Sequence, residues 1–429
     1  MHWTCLFVRA VFDQSRDRNC GFHFNAREQD AMIDAINRRT AITRLVGAAA
    51  VGLAPVALEA AWATQSRDGG PTGRELGDMN RIGWGFMRPY SVPGMSVAIA
   101  RSGKFVYSKG FGTADRQKAQ LVAATSLFRI ANLSMPITAV ATFLLIEKGQ
   151  LHLNDKVFGP SGILGAKYGK PPYQQYVVDI SVDHLLTHTS GGWGDGPSDP
   201  MFHSEGWDQE KLIEWTLDKV PLASPPGQSW VFSNFGYCLL GRVIEQVSGQ
   251  MYANFVQNSI LGPCGINDMK IAGNKMGQRA PNEVVYTGQY SEEPYKINVE
   301  RMDSCAGWIA TSSDMAIFLD HVGGAGDVPS LLKPETIRVM TTPTATYPQG
   351  AVAAAYAKGW MVSTRDPGIW WHTGSLPGST GVMVRTGNGM AWAAMINTRT
   401  QPHAEIDAAI NKMGWDMVGT DPQWGVQAL

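Results

Sequence analysis

Phe128-Arg129-Ile130-Ala131-Asn132-Leu133-Ser134-Met135-Pro136-Ile137-Thr138 is the most informative segment of the chain. It leads into a helix. Ile137, Val140, Ala141, Leu144 and Leu145 fall on one helical face, and Gly149 follows where a C-terminal cap belongs. Asn132, at the start, reads in two ways: Asn is a favoured N-terminal cap, and its carboxamide is also suited to holding a ligand.

Upstream, Gly94–Ala100 and Lys104–Lys109 are strand-like runs joined by Arg101-Ser102-Gly103, a hairpin signal. Downstream, residues 150–300 mix loops and helices with Pro and Gly punctuation. Within them Leu240, Val243, Ile244 and Val247 form an apolar stripe ended by Gly249. The chain then returns to strands over Lys358–Ser363, Ile369–Thr373, Gly381–Arg385 and Met390–Asn397, and a helix is expected over Ala404–Met413. Strands at both ends with helices between predict an α/β fold. Its central antiparallel sheet is built from both chain ends (64–150 and 300–429) and flanked by helices, with a mainly helical middle (150–300). A doubly wound parallel sheet needs regular strand–helix alternation, which is absent.

Five segments, in order, carry a family resemblance. Phe128–Thr138 resembles the serine motif of the serine β-lactamase and penicillin-binding-protein superfamily, which includes class C β-lactamases, related esterases and D-alanyl-D-alanine carboxypeptidases. His184-Leu185-Leu186-Thr187-His188-Thr189-Ser190-Gly191 is similar to a recurrent segment of the same superfamily. Phe232-Ser233-Asn234 resembles its Tyr-x-Asn element, and Ala306-Gly307-Trp308 through Asp314-Met315-Ala316 the segment before its late helix. His372-Thr373-Gly374-Ser375 is similar to its Lys/His-Thr-Gly strand. The resemblance implies a β-lactamase/transpeptidase-like fold with one cleft between these segments.

The departures from the pattern lie where the chemistry does. Acyl transfer by this superfamily needs a nucleophilic hydroxyl, a base for its proton and donors for the oxyanion. Serine and lysine stand one helical turn apart in Ser-x-x-Lys. Here Asn132 stands at the serine position, Met135 at the lysine position and Phe232 at the tyrosine position. A carboxamide is a poor nucleophile, a thioether carries no proton, and a phenyl ring lacks the phenolic oxygen. Ser134 is no substitute, because two helical residues rotate a side chain by roughly 200°. The resemblance leaves Asn132, Phe232, Asn234, Trp308, His372, Thr373 and Ser375 as the expected ligand-binding set, with Ser375 offering its backbone N–H. Met135 and Phe232 also read as filling the volume of the replaced side chains, and His184 and His188 as structural.

The rest of the sequence narrows the class. A formal net charge of -1 gives no basic footprint for nucleic acid. No apolar run reaches the roughly 18 residues of a membrane-spanning helix. Asn37-Arg38-Arg39-Thr40, the apolar Leu45–Leu58 and Ala61-Trp62-Ala63 read as a twin-arginine signal. Residues 1–63 are therefore expected to be an extension and signal, and 64–429 the folded, secreted or periplasmic part. Beyond these, Cys238, Cys264 and Cys305 show no metal-ligand spacing, and three is an odd number for a disulfide framework. Buried thiols are expected, with Cys305 also reading as a relocated nucleophile; no metal or cofactor is called for. Two functions follow: a non-acylating protein that binds a small peptide-like or acyl ligand in the old cleft, or an active enzyme of the family (a β-lactamase, esterase or peptidase-type hydrolase, or one with non-covalent altered chemistry) using different cleft residues.

Overall fold

Ser102 and Gly103 both adopt left-handed backbone, with φ of 50° and 80°, the geometry a two-residue hairpin turn requires. They join β1 (Gly94–Arg101) to β2 (Lys104–Asp115). The computed structural model describes residues 70–425 apart from 197, 290, 325, 349–352 and 401. The signal expected over residues 1–63 lies outside them.

The main sheet continues with β3 (Gln120–Leu121), β7 (Ala354–Tyr356), β8 (Met361–Ser363), β9 (Trp370–Leu376), β10 (Ser379–Arg385) and β11 (Met390–Ile396). Its strand order is β3-β2-β1-β11-β10-β9-β8-β7, antiparallel throughout. The two chain ends meet at its centre, where Val97 faces Ala394 across β1 and β11. The sheet from both chain ends is therefore present.

A smaller antiparallel sheet joins β4 (Phe128–Arg129), β5 (Lys270–Ile271) and β6 (Trp308–Ala310) in the order β4-β6-β5. The helices are α1 (Gly73–Met87), α2 (Ser134–Glu147), α3 (Val182–Leu186), α4 (Gln209–Lys219), α5 (Asn234–Ser248), α6 (Tyr252–Val256), α7 (Ser312–Gly323), α8 (Pro334–Met340) and α9 (His403–Val418).

Period-two alternation divides the core. On β11, Ala391, Ala393 and Met395 face the core of the helical region, whereas Met390, Trp392, Ala394 and Ile396 face the one built with α1 and α9. Both faces are covered, so the strand is buried along its whole length. Small residues bring α7 close to the sheet: Ala98 and Ala100 pack on Ala316, and the Ser96 and Ser312 hydroxyls are 2.7 Å apart.

Several expectations need correcting. The helix after Asn132 was expected to bury one face; α2 is buried on nearly every side from Ser134 to Phe143, because α5, α6 and α8 pack around it. The strand expected over Lys358–Ser363 begins only at Met361, since Gly359 turns the chain at φ 85°. The last helix runs to Val418, five residues beyond the expected Met413. No expectation covered α1, although Thr72 and Glu75 form a capping box at its start. The stop at Gly249 is as expected: it takes φ 69° and caps α5 through the Glu245 carbonyl.

Candidate functional site

The cleft is assembled from four places in the chain. The first is the approach to α2. Arg129, fully buried, donates to the Pro294 carbonyl (2.6 Å) and the Gly273 carbonyl (2.9 Å), its guanidinium lying over the Tyr286 ring. Ser379 of β10 donates to the Arg129 carbonyl (2.5 Å). These ties fix the backbone just before Asn132. Ala131 then takes φ 48°, left-handed and strained for a residue with a Cβ, inside a single 3-10 turn, Ala131–Leu133.

That turn removes the cap reading of Asn132. It is not the cap of α2: Leu133 occupies that position and makes no side-chain cap bond. The Asn132 amide instead donates to Asn234 Oδ1 at 2.7 Å. The helix starts without a capping side chain because the 3-10 turn leads straight into it.

The second contribution is the start of α5. Ser233 caps it, its hydroxyl accepting from the Gly236 amide (3.0 Å) and donating to the Trp193 carbonyl (2.6 Å). Asn234 follows, nearly buried, and donates Nδ2 to Asp199 Oδ2 at 2.7 Å. Asp199 was not anticipated from the sequence. It caps a short turn through the Met201 amide (2.8 Å), and Arg301 holds the loop by donating to the carbonyls of Met201 (2.8 Å) and His203 (2.6 Å). Burial pushes the Asp199 carboxyl up to about 6. Asn132, Asn234 and Asp199 thus form one hydrogen-bonded row.

Third, Phe232 lies half-buried on the ring of His188, with centroids 4.4 Å apart and the Tyr356 ring 4.6 Å from the same histidine. His188 accepts the Ser233 amide at Nδ1 (3.1 Å), so Nε2 carries the proton, and that atom is buried without a partner. Burial holds the His188 imidazole well below its ordinary range, with nearby His372 adding to the effect.

Fourth comes β9. His372, 3% exposed, donates Nδ1–H to the Thr373 carbonyl (2.5 Å) and faces the Tyr356 hydroxyl with Nε2 (3.3 Å). Burial lowers it to about 4, so it is neutral at neutral pH. Its ring is 6.4 Å from that of Phe232. Gly374 lets the strand touch the first segment: a Cβ there would lie 2.5 Å from the Ile130 carbonyl oxygen and 2.9 Å from the Asn132 amide nitrogen.

The structure therefore brings Asn132, Asn234, Phe232 and His372 together, along with the backbone of β9. Not all the expected residues join them. The Trp308 side chain is wholly buried in the core, with its indole N–H directed at the Tyr252 hydroxyl (3.3 Å). Alternation along β9 places Thr373 and Ser375 on the face opposite His372 and Gly374, so only their backbone can border the cleft. Met135 is fully buried in the core beside α2, and Ser134 is spent on the Ala131 carbonyl (2.7 Å). Cys305 is buried and its thiol pushed well above its ordinary range, which makes it inert; Cys238 and Cys264 are likewise free and buried. Among the described residues no group of three His, Cys, Asp or Glu side chains is placed to hold a metal ion. A cavity of about 420 Å³ lined by Asp115, Lys118, Arg279 and Asn397 includes none of the assembled residues.

Comparison with known proteins places this arrangement. Residues 81–412 match the family model described as Beta-lactamase. The chain is 28% identical over 320 residues to Penicillin-binding protein 4* of Bacillus subtilis, covering 68% of this chain and 64% of that protein. It thus spans less than two thirds of the Bacillus relative. It is 25% identical over 364 residues to a putative D-alanyl-D-alanine carboxypeptidase of Escherichia coli O157:H7, covering 73% of this chain and 80% of the other. Its fold is similar to the octameric penicillin-binding protein homologue from Pyrococcus abyssi, with a TM-score of 0.65 at 23% identity, over 81% of this chain and 79% of that one. Since the family model takes in over three quarters of the sequence, the chain belongs to the beta-lactamase family.

Proposed function

We propose that this chain is a non-acylating member of the family that binds a small peptide-like or acyl ligand where Asn132, Asn234 and His372 converge. The observation that carries the reading is the state of Asn132. At the place that resembles the nucleophile's, a carboxamide is hydrogen-bonded to Asn234 at 2.7 Å, and Met135, one turn on, lies in the core with no proton to take or give. Covalent catalysis needs a deprotonable nucleophile against a base, and neither residue supplies one. The name of the Escherichia relative points to peptides ending in D-alanine as the ligand class. Among the described residues no helix is long and apolar enough to cross a membrane. Export by the twin-arginine route, from Arg38 and Arg39, completes the proposal.

Intact-mass analysis after exposure to a penicillin and to a fluorophosphonate tests it, beside an Asn132→Ser/Met135→Lys/Phe232→Tyr variant. The unaltered protein is expected to show no adduct and the triple variant to show one. An adduct on the unaltered protein, mapped to the cleft, refutes the reading. One observation favours the alternative of hydrolysis without an acyl-serine: Asp199, at about 6, is in the range of a general base and lies one amide away from Asn132. Turnover of a chromogenic β-lactam or nitrophenyl ester without any adduct, abolished in Asp199→Asn, would establish that alternative.

A further inference from the structure

The row Asp199–Asn234–Asn132 has a direction, and Asp199 sets it. Its Oδ1 accepts the Met201 amide at 2.8 Å and its Oδ2 accepts Asn234 at 2.7 Å. Both oxygens are engaged as acceptors, which is the role of an ionised carboxylate. An acceptor-only partner demands the nitrogen of the Asn234 amide, not its oxygen. That leaves Asn234 Oδ1 facing Asn132, and a carbonyl oxygen can only be met by the Asn132 nitrogen, at 2.7 Å. Asn132 Oδ1 is therefore turned away from Asn234. It has no partner among the described residues, and it is not among their buried orphan atoms, so this half-buried residue shows its oxygen to the cleft.

We propose that Asn132 Oδ1 is the acceptor by which the cleft recognises its ligand, which brings an amide N–H or an ammonium group to that atom. Asp199 is the positioning residue that gives Asn132 this polarity through Asn234. The proposal rests on the ligand-binding reading above and deepens it. In a family whose chemistry puts a nucleophilic oxygen against a carbonyl carbon, the same position here offers an oxygen that attracts a donor. Two features make the direction robust. Asn234 and Asp199 are 6% and 3% exposed, so water does not readily replace either partner. The loop bearing Asp199 is tied by Arg301 to four carbonyls, those of Met201, His203, Ser204 and Trp207.

Asp199→Asn should reverse the row. One arm of the new amide is a nitrogen, and with the Met201 amide still requiring an oxygen, that nitrogen faces Asn234. Asn234 then turns its oxygen to residue 199 and its nitrogen to Asn132, whose own nitrogen is left pointing into the cleft. Selective labelling of asparagine side chains and NMR couplings across hydrogen bonds read this in the ligand-free protein, with Asn132→Ala and Asn234→Ala assigning the signals. The expected result is a coupling from the Asn132 amide proton to the Asn234 side-chain carbonyl. The opposite coupling in the unaltered protein overturns the proposal, and this reading stands whether or not Asp199→Asn folds.

The recognition half uses two probes that differ at the C-terminal amide, N-acetyl-D-alaninamide and its N,N-dimethylamide; the second lacks the terminal donor and carries two added methyl groups, whose bulk the Asn132→Ala comparison controls. The unaltered protein should bind the first about tenfold more tightly, as one hydrogen bond warrants, and Asn132→Ala should erase the difference. Equal binding of both probes, or binding of neither, overturns it. A penicillin adduct would instead overturn the non-acylating reading and leave the measured polarity untouched.

Discussion

Acidification from about pH 7.5 to about pH 4.5 should destabilise the protein through His372, by an amount that the structure sets. The imidazole is 3% exposed, and its two nitrogens serve the Thr373 carbonyl and the Tyr356 hydroxyl, with Nδ1 as donor and Nε2 as acceptor. Protonation would put a second proton on Nε2, against a hydroxyl, in a site with little water. Burial accordingly lowers the group from its ordinary 6.5 to about 4. The sign follows: a depressed folded-state value means the stability is present above 6.5 and lost as pH falls toward 4, because the unfolded chain takes up the proton first. Between the two pH values the loss is about 2–3 kcal/mol. Urea unfolding followed by tryptophan fluorescence, for the unaltered protein and His372→Gln at both pH values, isolates the term. Asp199 and Asp407, raised to about 6, shift the other way, but they are present in both proteins and cancel in the difference. His188 titrates in the same direction and is present in both, but His372 adds to its depression, so the difference reads His372 together with its effect on His188. A pH dependence identical in the two proteins to within about 0.5 kcal/mol would refute the argument that His372 is held neutral.

Gly374→Ala should cost about 1–3 kcal/mol, read as a lowered Tm, because the new Cβ would press on the Ile130 carbonyl and the Asn132 amide; an unchanged Tm would mean β9 does not abut the Asn132 turn. Cys238, Cys264 and Cys305 should resist iodoacetamide in the native protein and react in urea, as mapped by peptide mass; burial pushes the thiols of the first two up to about 12, and rapid native labelling of any of the three would contradict their placement. Arg38→Lys/Arg39→Lys should leave precursor inside the cell, seen by fractionation and blotting, whereas undiminished export would remove the twin-arginine route.

The strands around Met95–Ala100 and Met390–Ile396 were legible because each is a run of apolar residues closed by turn-forming ones, and that pattern is local. Gly249 was legible as a stop for the same reason, since a left-handed residue after an apolar stripe has few other meanings. Asn132, Phe232 and Asn234 could be singled out because ordered short motifs survive even where their chemistry has changed. That Asn132, Met135 and Phe232 stand where the family carries its serine, lysine and tyrosine is what the resemblance implies, and it belongs to the proposal.

Tertiary structure decided the rest. That α2 is buried on nearly all sides depends on what packs around it, and its own sequence describes one apolar face equally well. Trp308 resembles a cleft residue by its place in a motif, yet its indole is enclosed with Tyr252 in the core. Asp199 lies in a loop with no motif around it, and its meaning comes from Asn234, 35 positions away. The same holds for Asn132, read as a cap or as a ligand group until its amide was seen donating to Asn234, 102 positions away. A hydrogen bond is short and directional, so it ties together whichever groups the fold brings within about 3 Å, whatever their distance along the chain. Periodicity reports how a segment meets its immediate surroundings; the direction of a row of amides is set only when a carboxylate arrives at its end.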